Sequence, residues 1–452
     1  MQRFKIDENS INKIRILIGK KRKKEIIKVS DELHFADIAE ILNELSIDHA
    51  IYFVKNIESE KSADALAELN EDLREKILEK LSPTEIANEI EELDTDDAAD
   101  MIAELSSEKK EKVMSKISDS NHLKDIKELL TYSENTAGAI MAKELVKVKE
   151  SLSVLKCIDY MRAQAENVTR VHSIYVVDNS DKLLGRLSLK DLLTVNSRAK
   201  VKDIYIPKVD FVYVNQSIED TAKIMSKYDL EAIPVVSEDK ILLGRITIDD
   251  IVDIIKEEAN KDYQLAAGIS NVVEADDGIL QLTKARLPWL ILGLIGGLGA
   301  VFILQDYEEI MNKPELRTLF FYTPLIAAMA GNVGIQSSAI IVQGIANDNI
   351  KGSLMLRLFK ETGLSLINGI ILSLILILFG FAINQELILS LTVSISMIGV
   401  IIIAALVGTF IPIILNKRGI DPAIATGPFI TTANDIFGIF LFFYFAKSVL
   451  NF

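Results

Sequence analysis

Residues 419–440 read GIDPAIATGPFITTANDIFGIF, and the carboxylate inside them, Asp435, decides how the rest of the chain is read. Nothing is charged across 422–434, nor across 436–446. An ionised carboxylate at the centre of a membrane-spanning helix costs roughly 2.5 to 3.5 kcal/mol, so it persists only where it faces water or a cation. Further charge-free runs occupy 287–305, 318–347, 362–385 and 387–416. A helix needs about 20 residues to cross the hydrocarbon core, and each run is long enough, with 422–446 as the fifth. Five spans put the two chain ends on opposite sides. Lys284, Arg286, Lys351, Arg357, Lys360, Lys417 and Arg418 then flank one side, against Lys313, Arg317 and Lys447 on the other. That excess marks the cytoplasmic face of a plasma membrane and places the N-terminal part inside.

Composition divides the chain in the same place. From Arg286 onward there are nine acidic and nine basic residues, so the whole formal net charge of −15 belongs to the first 285 positions. An acidic soluble part argues against nucleic acid and for cations. The single cysteine, Cys157, excludes an internal disulfide and fits a reducing compartment. The first 24 residues hold no apolar core of signal-peptide length.

Between Asn43 and Ile117 an apolar-ended unit recurs every twelve residues, closing at Leu45, Ile57, Leu69, Leu81, Leu93, Leu105 and Ile117. The residues that follow are Ser46, Glu58, Asn70, Ser82, Asp94, Ser106 and Ser118, mostly types that cap helix N-termini. Short helices stacked as an α-superhelix, with a shared apolar seam and acidic outer faces, are expected. Beyond them the period becomes strand-like. VHSIYVVDNSDKLLGRLSLKDLL (171–193) and LEAIPVVSEDKILLGRITIDDIV (230–252) follow one plan: strand, polar turn, LLGR strand, then a helix opened by an acidic residue. This β-β-α repeat resembles the cystathionine-β-synthase (CBS) domain pair, which implies sensing, with an adenine nucleotide as one candidate ligand.

Taken together, the acidic helical repeat, LLTYSENTAGAIMAKELVKV (129–148), the CBS-like pair, RLPWL (286–290), AGNVGIQSS (330–338) and GIDPAIATGPFITTANDIFG (419–438) resemble the MgtE family of magnesium channels. The expected fold is multidomain: an α-helical superhelical repeat domain (1–132), an α/β CBS-domain pair (133–199 and 200–256), a connecting plug helix (257–283) and an all-α membrane domain of five transmembrane helices (284–452). The resemblance implies a homodimer in membrane lipid, with Asp435 as the ion-selecting residue of a shared pore and no covalent chemistry. It places Asn332 on the second span as a further pore candidate; Asn434 and Thr431, amide and hydroxyl residues beside Asp435 in the interrupted last span, join it on the chemistry of a polar path. It also implies that regulatory Mg2+ bridges Asp250, Asp253, Glu258 and Asp262 with Glu219 and Asp229 of the second CBS unit, and with Asp96, Asp97 and Asp100 of the repeat domain. The family more often carries an acid where this chain has Lys261, which can pair with Glu257 one turn away.

Elementary chemistry supports that assignment. Asp421 before Pro422 reads as an N-cap, and is kept among the candidate metal carboxylates. Gly427 with Pro428 interrupts the last span, and Pro324 with Gly331 and Gly334 is expected to interrupt the second, since irregular backbone at membrane depth must line protein or water. Magnesium takes oxygen ligands and keeps several waters while one or two carboxylates attract it. No His or Cys lies in the spans to favour a softer metal. A coupled carrier on the same scaffold and a membrane-anchored sensor without transport are the alternative readings.

Overall fold

The twelve-residue step is one short helix and its turn. In the computed structural model, which describes residues 7–165, 168, 171, 173–275, 277–313, 316–347, 353–425 and 427–450, ten helices open the chain. They are α1 (Glu8–Gly19), α2 (Lys23–Asp31), α3 (Phe35–Asn43), α4 (Ile47–Val54), α5 (Ser59–Ala67), α6 (Glu71–Lys80), α7 (Pro83–Glu92), α8 (Thr95–Ala103), α9 (Ser107–Met114) and α10 (Ser120–Leu129). Ser46, Glu58, Asn70, Ser82, Asp94 and Ser106 are the N-caps of α4 to α9, as the sequence expects. The seventh moves by one: Asp119, not Ser118, caps α10, because its carboxylate accepts the N–H groups of Asn121 and His122 while Glu91 takes that of Ser118. The step also runs backwards to His34 and Arg22, the N-caps of α3 and α2, which residue type alone conceals. Ser82 and Glu85 close a capping box with Pro83 at the first helical position. Alternate helices pack together, α3 on α5, α5 on α7 and α7 on α9 in one row, with α4 on α6 and α8 on α10 in the other.

Two copies of one α/β module follow. The first contains β1 (Val146–Lys149), α11 (Val154–Ala165), β2 (Ile174–Val177), β3 (Leu183–Leu187) and α12 (Leu189–Thr194). The second contains β4 (Val212–Tyr213), α13 (Ile218–Lys227), β5 (Ala232–Val236) and β6 (Leu242–Thr247). Each sheet adds a leading parallel strand to the expected antiparallel pair. At two to four residues these leading strands are too short for an alternation signal. The hairpin tips clasp each other: Leu183 N–H donates to the Lys240 carbonyl at 2.9 Å, and Leu242 N–H to that of Asp181 at 3.0 Å. Ala137 and Met141 extend the superhelix core to Val212, Ile233 and Ile246 of the second sheet.

The chain divides into two compact units at 255/256, inside helix α14 (Ile248–Ala266). The connecting helix expected over 257–283 therefore begins earlier and stops at Ala266; Gly268 turns with φ 80°, and helix resumes only at Ile279. Among the described residues five helices are long and apolar enough to cross a membrane: α15 (Ile279–Asp306), α16 (Thr318–Ala346), α17 (Leu354–Ala382), α18 (Leu387–Lys417) and α19 (Pro428–Leu450). The most enclosed is α18, which packs on α16, α17 and α19. The break expected in the second span is absent, and α16 runs through Pro324. Proline releases the carbonyl four residues back, and here the Thr323 hydroxyl donates to that carbonyl, of Phe320, at 2.7 Å. The last span does begin irregularly: Asp421 Oδ1 accepts the Ala423 N–H at 2.8 Å, Pro422–Ala425 form a 3₁₀ turn, Gly427 is left-handed and Pro428 starts α19.

One core position of the superhelix is acidic. Glu89 of α7 is 8% exposed, and the fully buried Ser62 of α5 donates to its Oε2 at 2.5 Å. Burial pushes its carboxyl up to about 7, with Glu92 and Glu85 adding to the shift and the Ser62 hydrogen bond opposing it. A carboxyl raised on folding contributes stability below its unfolded pKa and loses it as pH rises through the folded value. Ionised at pH 8, Glu89 costs on the order of 3 kcal/mol. Glu89→Gln should therefore raise the hydrogen-exchange protection of α7 in the full-length protein at pH 8 and leave it little changed at pH 5. Equal protection at pH 8 would show that the carboxylate is already compensated.

Candidate functional site

Asp435 lies two turns into α19, half-buried against α16. Its neighbour there is Gly331, where a Cβ would stand 3.7 Å from Asp435 Oδ1 and 3.3 Å from Thr431 Cγ2. The missing side chain lets α16 pass close to the carboxylate. Thr431, one turn earlier, donates its hydroxyl to the Gly427 carbonyl at 2.9 Å, so that oxygen keeps its acceptor lone pairs. Asn434 is 2% exposed and sits where α19 crosses α16; a Cβ at Gly334 would collide with its amide. It thus occupies a helix-crossing position, with no hydrogen-bond partner for Nδ2 among the described residues. Asn332 and Gln336 are exposed on the protomer. Glu361 stands next to Lys360 and reads in the sequence as a mere flanking charge, yet it reaches into the membrane unit. Its Oε1 accepts the hydroxyl of the buried Ser337 at 2.5 Å, linking α17 to α16 inside the span.

The start of α19 rests on the end of α14. Gly427, at φ 57°, leaves no space for a Cβ beside the Ala266 carbonyl, and Pro428 packs on Gly268. The segment after α14 is tied down by Gln264, which exchanges two hydrogen bonds with the Val273 backbone (2.7 and 2.9 Å), and by the Ser270 N–H, which donates to Ala285 of α15 at 2.9 Å. Lys261 pairs with Glu258 at 3.1 Å, not with Glu257 as the i,i+4 spacing suggests. Glu258 and Asp262 are half-buried on this helix, and Asp253 is exposed.

A second acidic group gathers where α8 meets the second α/β module. The N–H and hydroxyl of Thr95 donate to Glu144 Oε2 at 3.2 and 2.9 Å, and the Lys143 N–H donates to the Thr95 hydroxyl at 2.8 Å. Arg245 of β6, 5% exposed, approaches Asp94 Oδ2 at 3.5 Å. Asp250 Oδ2 accepts both the N–H and the hydroxyl of Thr247, at 3.2 and 2.7 Å. Burial and then the Glu144 charge push the Asp94 carboxyl up to about 6, opposed by Arg245. Asp96 is raised by burial and by Asp97; Asp97, whose side chain still reaches solvent, is raised by the protein packed around it and by Asp250. Asp250 is raised by burial, against its Thr247 hydrogen bond. Such mutual shifts mark carboxylates short of counter-charge. Asp96, Asp97 and Asp250 thus come together with Asp94 and Glu144, neither of which the sequence singles out as a ligand. Asp100, Glu219, Asp229 and Asp421 are exposed. Among the described residues no three His, Cys, Asp or Glu side chains already form a metal cage.

Three family models cover most of the chain: the MgtE intracellular N domain over 33–135, the CBS domain over 137–198 and 201–257, and the MgtE divalent cation transporter domain over 323–445. The magnesium transporter MgtE of Bacillus subtilis (strain 168) is 30% identical over 442 residues, spanning 98% of this chain and 97% of its own. That of Enterococcus faecalis is 34% identical over 325 residues, 72% and 71% of the respective lengths. The crystal structure of the cytosolic domain of the Mg2+ channel MgtE in complex with ATP matches 54% of this chain and 99% of its own, with 28% identity and a TM-score of 0.51. With its helical N domain, paired CBS modules and five-helix membrane domain, the chain belongs to the MgtE family of magnesium transporters.

Proposed function

We propose that this protein conducts Mg2+ into the cell as a homodimeric channel that cytosolic Mg2+ closes. The observation that carries this reading is Asp435, a carboxylate inside the last span that is only half-buried, at a point where Gly331 lets α16 approach it closely. A second copy would bring a second carboxylate to the same axis, and two carboxylates suit a divalent ion that keeps its water. Asn332 and Gln336, exposed on the protomer, would then contribute amides to the path. The unbroken α16 leaves one irregular entry among the described residues, at Gly427, which favours a channel over the paired broken helices common in alternating-access carriers.

The seating of α19 on α14 supports gating. Movement of the connecting helix bears directly on the first residue of the helix that carries Asp435. The carboxylates at the start of α8 and Asp250 fit a regulatory divalent ion: all are hard oxygen donors, and their charge is incompletely offset. Bound there, such an ion would supply the missing positive charge. The same reading extends to Asp253, Glu258 and Asp262 on α14. An adenine nucleotide at the CBS pair follows from the ATP-bound relative, and the buried Tyr175 hydroxyl, without a hydrogen-bond partner among the described residues, is a polar atom it could satisfy.

Two experiments test the reading. Asp435→Asn keeps the shape and removes the charge, so Mg2+ uptake into proteoliposomes should fall to background while the protein elutes as the wild type does. Wild-type flux in that variant would refute the pore assignment. The Lys261–Glu258 pair is nearly half exposed at both ends and contributes only about 0.2 to 0.5 kcal/mol of attraction, but it places a cation beside a proposed ligand. Lys261→Glu should move closure to lower cytosolic Mg2+ in inside-out patches without altering ion selectivity. An unchanged or higher closing concentration would show that this face of α14 binds no divalent ion.

A further inference from the structure

The two LLGR strands place their arginines in different surroundings. Arg186 of β3 is exposed, whereas Arg245 of β6 is 5% exposed. The difference comes from what covers the second sheet. The Ala142 backbone exchanges hydrogen bonds with Arg245 at 2.8 and 2.9 Å. The same segment continues through Lys143 and Glu144, which hold Thr95 at the start of α8. The first turn of α8 thereby rests over Arg245, bringing Asp94 to 3.5 Å from Nη2, with Asp250 close enough to feel the same charge. Asp94, Asp96, Asp97, Glu144 and Asp250 carry five acidic groups into this interface.

We infer that Arg245 is a resident cation that holds the start of α8 on the second CBS sheet when no divalent ion is bound, doing with a fixed guanidinium part of what Mg2+ would otherwise do. A guanidinium suits this place because it stays charged when buried and presents several donors in one plane. Without it the acidic first turn of α8 would face Asp250 and Glu144 with only Arg74, whose charge reaches Asp97, to offset it, and removing the buried member of a charge pair destabilises its surroundings. With it, the helical domain stays in place at low Mg2+, and divalent ions reinforce an interface that already exists.

The test is hydrogen exchange on the full-length protein in detergent, following peptides over 94–103, with peptides over 232–247 reporting the integrity of the sheet. In EDTA, wild type should protect 94–103. Arg245→Met should exchange there at least about tenfold faster while the sheet stays protected. Millimolar Mg2+ should restore the protection, and Arg245→Lys should behave as wild type in EDTA. Wild-type protection of Arg245→Met in EDTA would overturn the inference. So would an equal loss in Arg245→Lys, since a purely packing role is indifferent to whether the replacement keeps the charge. If methionine also loosens the sheet, Arg245→Gln is held to the same outcomes. The Mg2+ arm rests on the proposed divalent sensing, while the EDTA arm reads Arg245 alone; failure of only the first would count against sensing, and failure of the second against the arginine.

Discussion

A carboxylate removed from water must find a counter-charge, a hydrogen bond or a proton, and the placement of acids in this chain follows from that constraint. Glu89 keeps a single hydroxyl and a high pKa. Asp94 has Arg245, Glu104 has a bidentate Arg74, and Asp250 has both groups of Thr247. Inside the membrane unit, Glu361 has Ser337, and Asp435 stays half-buried where Gly331 brings α16 close to it. Each buried structural acid has been given a protein partner. Asp435 differs from them in that, half-buried within a span, it has a glycine standing opposite it.

The same economy of polar groups shapes the backbone of the spans. Pro324 does not break α16, because the hydroxyl of the preceding threonine takes up the carbonyl that proline releases. Gly427 and Pro428 do interrupt the chain, and there the backbone lies against the end of α14. Identical residue types thus lead to opposite outcomes according to whether a nearby side chain can repair the hydrogen-bond ladder.

Much of this is legible in the sequence. Six of the seven positions at which the spacing expects a helix to open are N-caps, Glu58 included although it is not a capping type, and only Asn70 and Ser82 cap through their side chains; the repeated spacing is a backbone property that survives variation in side chain. The spans are legible because a soluble domain rarely buries a helix on every face for as long as these charge-free runs last. The leading strand of each CBS module is not, being shorter than any period it could display. Nor can the sequence separate the neighbours Asn434 and Asp435, because both meet α16, and which of them is enclosed at the crossing and which stays half-buried depends on helix rotation. Lys261 could reach Glu257 or Glu258 at equal sequence cost, and only the side-chain arrangement decides. Arg186 and Arg245 share a motif, and what distinguishes them is α8, a helix that arrives from a distant part of the chain.

The clasp between the two hairpin tips bears on how such a duplicated module can change over generations. Because the turn at Asp181 accepts from Leu242 and the turn at Lys240 accepts from Leu183, each copy is the hydrogen-bonding partner of the other. Both turns use a left-handed residue at the same place, Asp181 at φ 60° and Lys240 at φ 63°. Lengthening one tip alone would strand the backbone groups of both, so the two copies are free to diverge in their outward side chains but bound to share a turn length. Symmetry at that seam is therefore kept by mutual need, whatever ligands each copy separately acquires.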